Sequence, residues 1–223
     1  MSQSMLWRLV AKDIRFNRSL ALLTLVGGFI SIVISGINQA GAIVGLILFV
    51  TTMIVYGIFV GQESVTRERR DKTATFILSL PVSTRRYTLA KLLAAAISYI
   101  SVWAVMLVAL MALILISDDT PNGIIPMYSA IMGLMLMNFC ILLAVGVATT
   151  SSRWITGAVI VTNTLVTLFM VTLFNAPGVE SSIGGQSVVW AAEIVWSLVV
   201  QAIVIAICIG SMARSQSNKK SFV

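Results

Sequence analysis

Residues 124–148 read Ile124-Ile-Pro-Met-Tyr-Ser-Ala-Ile-Met-Gly-Leu-Met-Leu-Met-Asn-Phe-Cys-Ile-Leu-Leu-Ala-Val-Gly-Val-Ala148. No charged side chain interrupts them, and Asn138 is the one side-chain amide. About 20 such residues carry a helix across the hydrocarbon of a bilayer, so this stretch predicts a membrane-spanning helix. Five more stretches of the same kind lie on either side of it, at about residues 19–36, 41–62, 89–117, 154–174 and 187–213. The 223 residues are 58% hydrophobic and only 10% charged, with a mean hydropathy of +1.00. A soluble domain carries about 25% charged residues. The sequence therefore predicts an all-α integral membrane protein of six transmembrane helices, one transmembrane domain over residues 1–223.

The basic residues set the orientation. Threading six spans places Arg8, Lys12, Arg15 and Arg18 before the first; Arg67, Arg69, Arg70, Lys72, Arg85, Arg86 and Lys91 between the second and third; Arg153 between the fourth and fifth; and Arg214, Lys219 and Lys220 after the sixth. These are all 15 cations of the chain, and they fall on one side. The opposite connections hold Asp118, Asp119 and Glu180. Loops rich in Lys and Arg stay cytoplasmic, so both termini are expected inside. The net charge of +7 is then explained by membrane edges that meet anionic headgroups. No nucleic-acid partner is expected, because the interleaved aromatics of a base-stacking surface are missing.

Composition excludes several chemistries. The chain has no histidine, which removes His-ligated metals and His general bases. Cys140 and Cys208 fall inside spans and read as small buried thiols. No metal site is expected. The methionines of the fourth span (Met127, Met132, Met135, Met137) read as packing filler.

Residues 1–18 are amphipathic, with Met5, Leu6, Leu9, Val10 and Phe16 set against Arg8, Lys12 and Arg15, and with Asp13 interrupting the apolar stripe. They predict a basic helix in the cytoplasmic interface. Trp7 and Trp154 suit the inner aromatic belt, and Tyr128, Trp190 and Trp196 the outer one. The outer segment 175–186, with Pro177, Gly178, Gly184 and Gly185, reads either as a plain loop or as a short re-entrant or interfacial helix. Residues 214–223 read as a basic tail.

Residues 63–88 are the longest polar connection. Within it Thr73, Phe76, Ile77 and Leu80 share one helical face, and Pro81 ends the run because proline disfavours helix in the residue before it. Such a short amphipathic helix either lies on lipid or fills a groove of a cytoplasmic protein. Inside the membrane, Asn138, Asn163 and Gln201 are mid-span amides, which inter-helix hydrogen bonding explains. Glu193 lies about 9 Å inside a sixth span that starts at residue 187. A later start, after Trp190, would leave it at the wet outer edge.

The run Arg67-Glu68-Arg69-Arg70-Asp71-Lys72-Thr73, then Phe76-Ile77-Leu78-Ser79-Leu80-Pro81-Val82-Ser83, then Arg86 and Lys91-Leu92-Leu93, resembles the permease subunits of type-2 ATP-binding-cassette (ABC) exporters. In that family an acidic residue closes the second span, a coupling helix ending in Pro-Val-Ser follows, and a Lys opens the third span. Here Lys72 replaces the family's usual Gly before the Thr. The six-span topology and the N-terminal amphipathic elbow helix are similar too. The resemblance implies a cytoplasmic coupling helix between helices 2 and 3, with Thr73, Phe76, Ile77, Leu80 and Pro81 docking on a separate ABC ATPase, present in two copies. It implies a second permease, most simply a copy of this chain, and a location in the inner membrane of a bacterium or archaeon. Either Glu63 or Glu68 would brace the cytoplasmic gate. The chain has no Gly-x-x-x-x-Gly-Lys-Ser/Thr loop, so it is not expected to be an enzyme. It would hold no cofactor of its own, ATP and Mg belonging to the partner. Asn163 and Glu193 are candidates for lining a path for a hydrophobic or amphipathic cargo (peptide, lipid-like molecule or drug). The reading from another class is a non-transporting membrane scaffold or immunity protein, with no ATPase and a lipid-facing 73–83 helix.

Overall fold

The structure, a computed structural model, describes residues 3–70, 84–117, 120–149 and 152–218. Its elements are α1 (Gln3–Ser35), α2 (Gln39–Arg70), α3 (Thr84–Ile116), a 3₁₀ turn (Asn122–Ile124), α4 (Ile125–Ala148), α5 (Ser152–Phe174), α6 (Pro177–Ile183) and α7 (Ala192–Asn218). No strand occurs among the described residues. Six helices are long and apolar enough to cross a membrane: Trp7–Ser35, Ala40–Gln62, Tyr87–Ile116, Asn122–Ala148, Arg153–Phe174 and Ala192–Ser215.

Proline placement permits this. Pro126 sits in the first turn of α4 and Pro177 in that of α6, where the missing N–H would have had no helical partner. At the turn between α1 and α2, Asn38 Oδ1 accepts a bond from Gly41 N at 2.7 Å, an N-cap that starts the second helix.

Several boundaries differ from the sequence reading: α2 continues past residue 62 to Arg70, α3 begins before residue 89 at Thr84, and the last helix continues into the expected tail as far as Asn218. The amphipathic 1–18 segment and the first span are one continuous helix. Neither glycine nor proline occurs in α1 before Gly27, and a single buried stripe (Val10, Asn17, Thr24, Ser31) runs along it. The last helix starts at Ala192, five residues later than expected. The outer segment takes the second of its two readings, a short helix. Gly123 N donates to Gly185 O at 2.9 Å, and Gly123 lies so close to the Ser182 carbonyl that a β-carbon would overlap it. Val179 is fully buried beneath this cap. Tyr128, expected in the aromatic belt, is buried; Trp7, Trp154, Trp190 and Trp196 are exposed.

α4 is the axis of the bundle. Ala130, Ile131, Met132, Leu134, Met135 and Phe139 are buried along it, with α2, α3, α5 and α7 around it and α1 packed on α2 and α3. Three aromatic rings join α2, α3 and α4 at mid-depth. Tyr99 stacks on Phe139 with centroids 4.0 Å apart and on Tyr56 at 5.8 Å. Tyr56 Oη donates to Ser98 O at 2.9 Å, Tyr99 Oη to Met135 O at 3.1 Å, and Trp103 Nε1 to Met132 O at 2.8 Å. α7 is held by Gln201 Nε2, which donates to Ala130 O at 3.1 Å. The same carboxamide lies over Gly133, leaving no room for a β-carbon.

Gly133→Ala should therefore displace the Gln201 carboxamide from its bond to Ala130 O and cost about 1 kcal/mol. Gly210→Ala, at an exposed site with open space around it, should gain roughly 0.5–1 kcal/mol of helix propensity. Thermal unfolding of the two variants in detergent, with melting shifts of opposite sign, checks this.

Candidate functional site

Helix length singles out one end of the bundle. α1, α2 and α3 have 33, 32 and 33 residues, close to 50 Å each at 1.5 Å per residue. α4 and α5 have 24 and 23, roughly 35 Å, enough for a hydrocarbon core of about 30 Å. Successive long helices run antiparallel, so the start of α1, the end of α2 and the start of α3 share one end. The excess length of all three falls there, because the opposite ends of α1 and α2 close in the tight turn at Gly36–Asn38.

This is the end from which residues 71–83 leave and return. Thr73, Phe76, Ile77, Leu80 and Pro81 lie outside the described residues. Their anchors are described: α2 runs helical to Arg70 and α3 resumes at Thr84. Glu63 and Glu68 fall in the final turns of α2.

The best-defined polar contact of this end was not foreseen in the sequence. Lys91 Nζ, on α3, pairs with Asp13 Oδ2, on α1, at 2.9 Å; the two side chains are only 16% and 19% exposed. Val10, Ala90 and Ala94 form a small buried cluster beside them, with Leu9 and Ile14 packed on it. Lys91 Nζ also stands 5.8 Å from the centroid of the Tyr87 ring. Asp13 thus does not interrupt the buried stripe of α1 but belongs to it, because its charge is met by Lys91, two turns into α3. The signal in the sequence was a lone acid among four cations; its partner stands 78 positions away and no local pattern connects them.

The intramembrane candidates separate. Asn163 lies midway along α5, half-buried, and its Oδ1 is buried without a hydrogen-bond partner, as are Asn138 Oδ1 and Gln201 Oε1. Among the described residues, Gln201 is the one of the three amides with the inter-helix bond that the sequence suggested for all of them. Thr164 and Thr167, on the exposed face of α5, donate to Ile160 O (3.0 Å) and Asn163 O (3.1 Å) of their own helix, which makes hydroxyls tolerable in hydrocarbon. Glu193 sits in the first turn of α7 and is exposed, its carboxylate against Gly178, where an added β-carbon would be 2.7 Å from Oε2. The later start of the last helix is what moves it to the bundle edge. Glu193 and Asn163 are not brought together.

Six helices able to cross a membrane, one of them the buried centre of the bundle and three prolonged at one end, define a multi-pass membrane protein. The chain matches the family model described as ABC-2 family transporter protein over residues 8–218, and it belongs to that family. Members are transmembrane components that associate with an ABC ATPase. Neither the curated proteins nor the solved structures compared with it give a match.

Removing one member of the Asp13–Lys91 pair leaves a largely buried charge. Asp13→Asn or Lys91→Met should each cost about 1–3 kcal/mol, below the full cost of a deeply buried pair because both groups retain some solvent. The exchanged double variant Asp13→Lys/Lys91→Asp should recover part of that loss. A double-mutant cycle on detergent-solubilised protein checks both expectations.

Proposed function

We propose that this chain is the permease subunit of an ATP-driven exporter, working with two copies of a separate ABC ATPase and with a second permease, most simply a copy of itself. The observation that carries the reading is the family match across nearly the whole chain, together with the single end at which α1, α2 and α3 are prolonged. That end is the cytoplasmic one in this reading, and residues 71–83 are its docking element. Phe76, Ile77 and Leu80 fill a groove of the ATPase, Pro81 ends the helix, and Thr73 begins its docking face. Glu63 and Glu68 stand where α2 emerges and brace the gate. The membrane is the inner membrane of a bacterium or archaeon.

The packing supports a mechanism. ATP-driven closure of the ATPase dimer moves residues 71–83. No glycine lies between Glu63 and Lys91, so the displacement passes into α2 and α3 rather than being absorbed at a hinge. The Tyr56–Tyr99–Phe139 stack and its bonds to Ser98 O and Met135 O make α2, α3 and α4 move as one body. The two permeases then rearrange around a path between them. The exposed faces of α1, α2 and α5 are mainly apolar (Phe29, Val33, Ile47, Val55, Leu165, Leu168), which favours a hydrophobic or amphipathic cargo. Asn163, half-buried on α5 beside the exposed Thr164 and Thr167, is the candidate amide of that path.

Affinity purification of the chain from its native membrane in mild detergent should recover an ABC ATPase in about equal stoichiometry. Leu80→Asp should abolish that association. Recovery of the chain alone, or an unchanged complex in the variant, would sink the docking reading. In a background lacking Cys140 and Cys208, a cysteine at Glu180 should react with a membrane-impermeant maleimide added outside intact cells, whereas one at Arg85 should react only after lysis. The reverse pattern would overturn the orientation.

A further inference from the structure

The first half of α1 has two faces of different chemistry. Arg8, Lys12, Arg15 and Arg18 are spaced four, three and three residues apart. At 100° per residue they occupy about one third of the helix circumference. All four are exposed, and Trp7 and Phe16, also exposed, stand at the two borders of their arc. The opposite face carries Val10, Asp13 and Asn17. Asp13 is the one acidic residue of α1, and it is turned inward and neutralised by Lys91 at 2.9 Å. The outward face therefore carries four cations and no acid, with aromatic borders. The length of α1 exceeds the hydrocarbon thickness by roughly 20 Å, so this half of the helix runs from the hydrocarbon edge through the headgroup layer and beyond it.

We propose that this face is a binding site for anionic phospholipid of the bilayer, with headgroup phosphates seated on Arg15 and Arg18, Phe16 entering the boundary between headgroup and acyl chain, and Lys12 and Arg8, about 9 and 15 Å further along the axis from Arg18, adding to the attraction from beyond the headgroups. A guanidinium matches a phosphodiester with two parallel hydrogen bonds. A cluster of at least four cations beside a span attracts anionic lipid electrostatically, an attraction that salt screens. Amphipathic aromatics hold such a helix at interfacial depth. The Asp13–Lys91 pair then has a second consequence: it fixes the roll of α1 about its axis, so the cations face lipid while α1 stays attached to the base of α3. The inference stands apart from the transporter reading, because it needs neither an ATPase nor a cargo.

The test is electron paramagnetic resonance of the full-length chain in phosphatidylcholine nanodiscs, comparing association of spin-labelled phosphatidylglycerol with that of spin-labelled phosphatidylcholine. The wild type should prefer phosphatidylglycerol several-fold, and the preference should weaken as salt is raised. Each of R8Q, K12Q, R15Q and R18Q should lower it, and the quadruple variant should bring it close to one. Should the quadruple variant fail to insert, R8K/R15K/R18K, which conserves charge, should keep most of the preference while R15Q alone reduces it. An unchanged preference in the Gln variants would overturn the proposal, because the cations would then serve orientation alone. Displacement of the labelled phosphatidylglycerol by millimolar inorganic phosphate would also overturn it, pointing to a site for free anions. So would loss of a co-purifying acidic protein at unaltered lipid preference, which would assign the face to that protein.

Discussion

In hydrocarbon there is no water to satisfy a backbone N–H or C=O, and each one left unpaired costs several kcal/mol. A chain that is 58% hydrophobic and must cross repeatedly has helices as its solution unless it closes a barrel. This constraint accounts for much of what is seen here. It confines the described prolines to helix starts, makes the exposed threonines of α5 bond back to their own carbonyls, and requires a cap such as Asn38 where a helix starts beside a tight turn. It also removes the usual driving force for assembly, since lipid is as apolar as the helices themselves.

What holds the bundle together is accordingly specific. Three tyrosine and tryptophan donors reach backbone carbonyls of neighbouring helices, a ring stack fixes the spacing of α2, α3 and α4, and the Gln201 carboxamide clasps α7 to α4 over a glycine. The buried stripe of α1 is small and polar rather than bulky, with Asn17, Thr24 and Ser31, so that α1 approaches α2 and α3 closely. Around this block α5 and α7 keep one face each against α4 and turn the rest outward. The packed centre is thus formed by α2, α3 and α4, with more of α5 and α7 turned outward.

That end is marked three times over: by excess helix length, by the basic residues and by the Asp13–Lys91 pair. The pair joins the N-terminal helix to the base of α3, directly after the segment assigned to docking. Motion of α3 there cannot leave α1 behind without separating two largely buried charges. The N-terminal half of α1 thus belongs mechanically to the same end as α2 and α3, while its other face remains available to lipid.

Much of the architecture was legible without coordinates, since hydropathy is a local property and each span declares itself within about 20 residues. The number of spans, the segregation of the basic residues and the Pro-Val-Ser run that pointed to the family all come from contiguous stretches. The misplacements arose where the deciding partner is distant. Residues 1–18 were set apart from the first span because their charge pattern differs, yet nothing in the backbone breaks a helix there. In the sequence Glu193 stands open between the hydrocarbon and the wet outer edge because Val188, Val189 and Trp190 before it are apolar, and the helix start at Ala192 decides for the edge. Asp13 looked like a flaw in a stripe. Which amide bonds across helices, which tyrosines clamp, and that Asp13 meets Lys91 were decided only by tertiary structure, because pairing between helices depends on their relative rotation and depth, and neither quantity is written in a local run of residues.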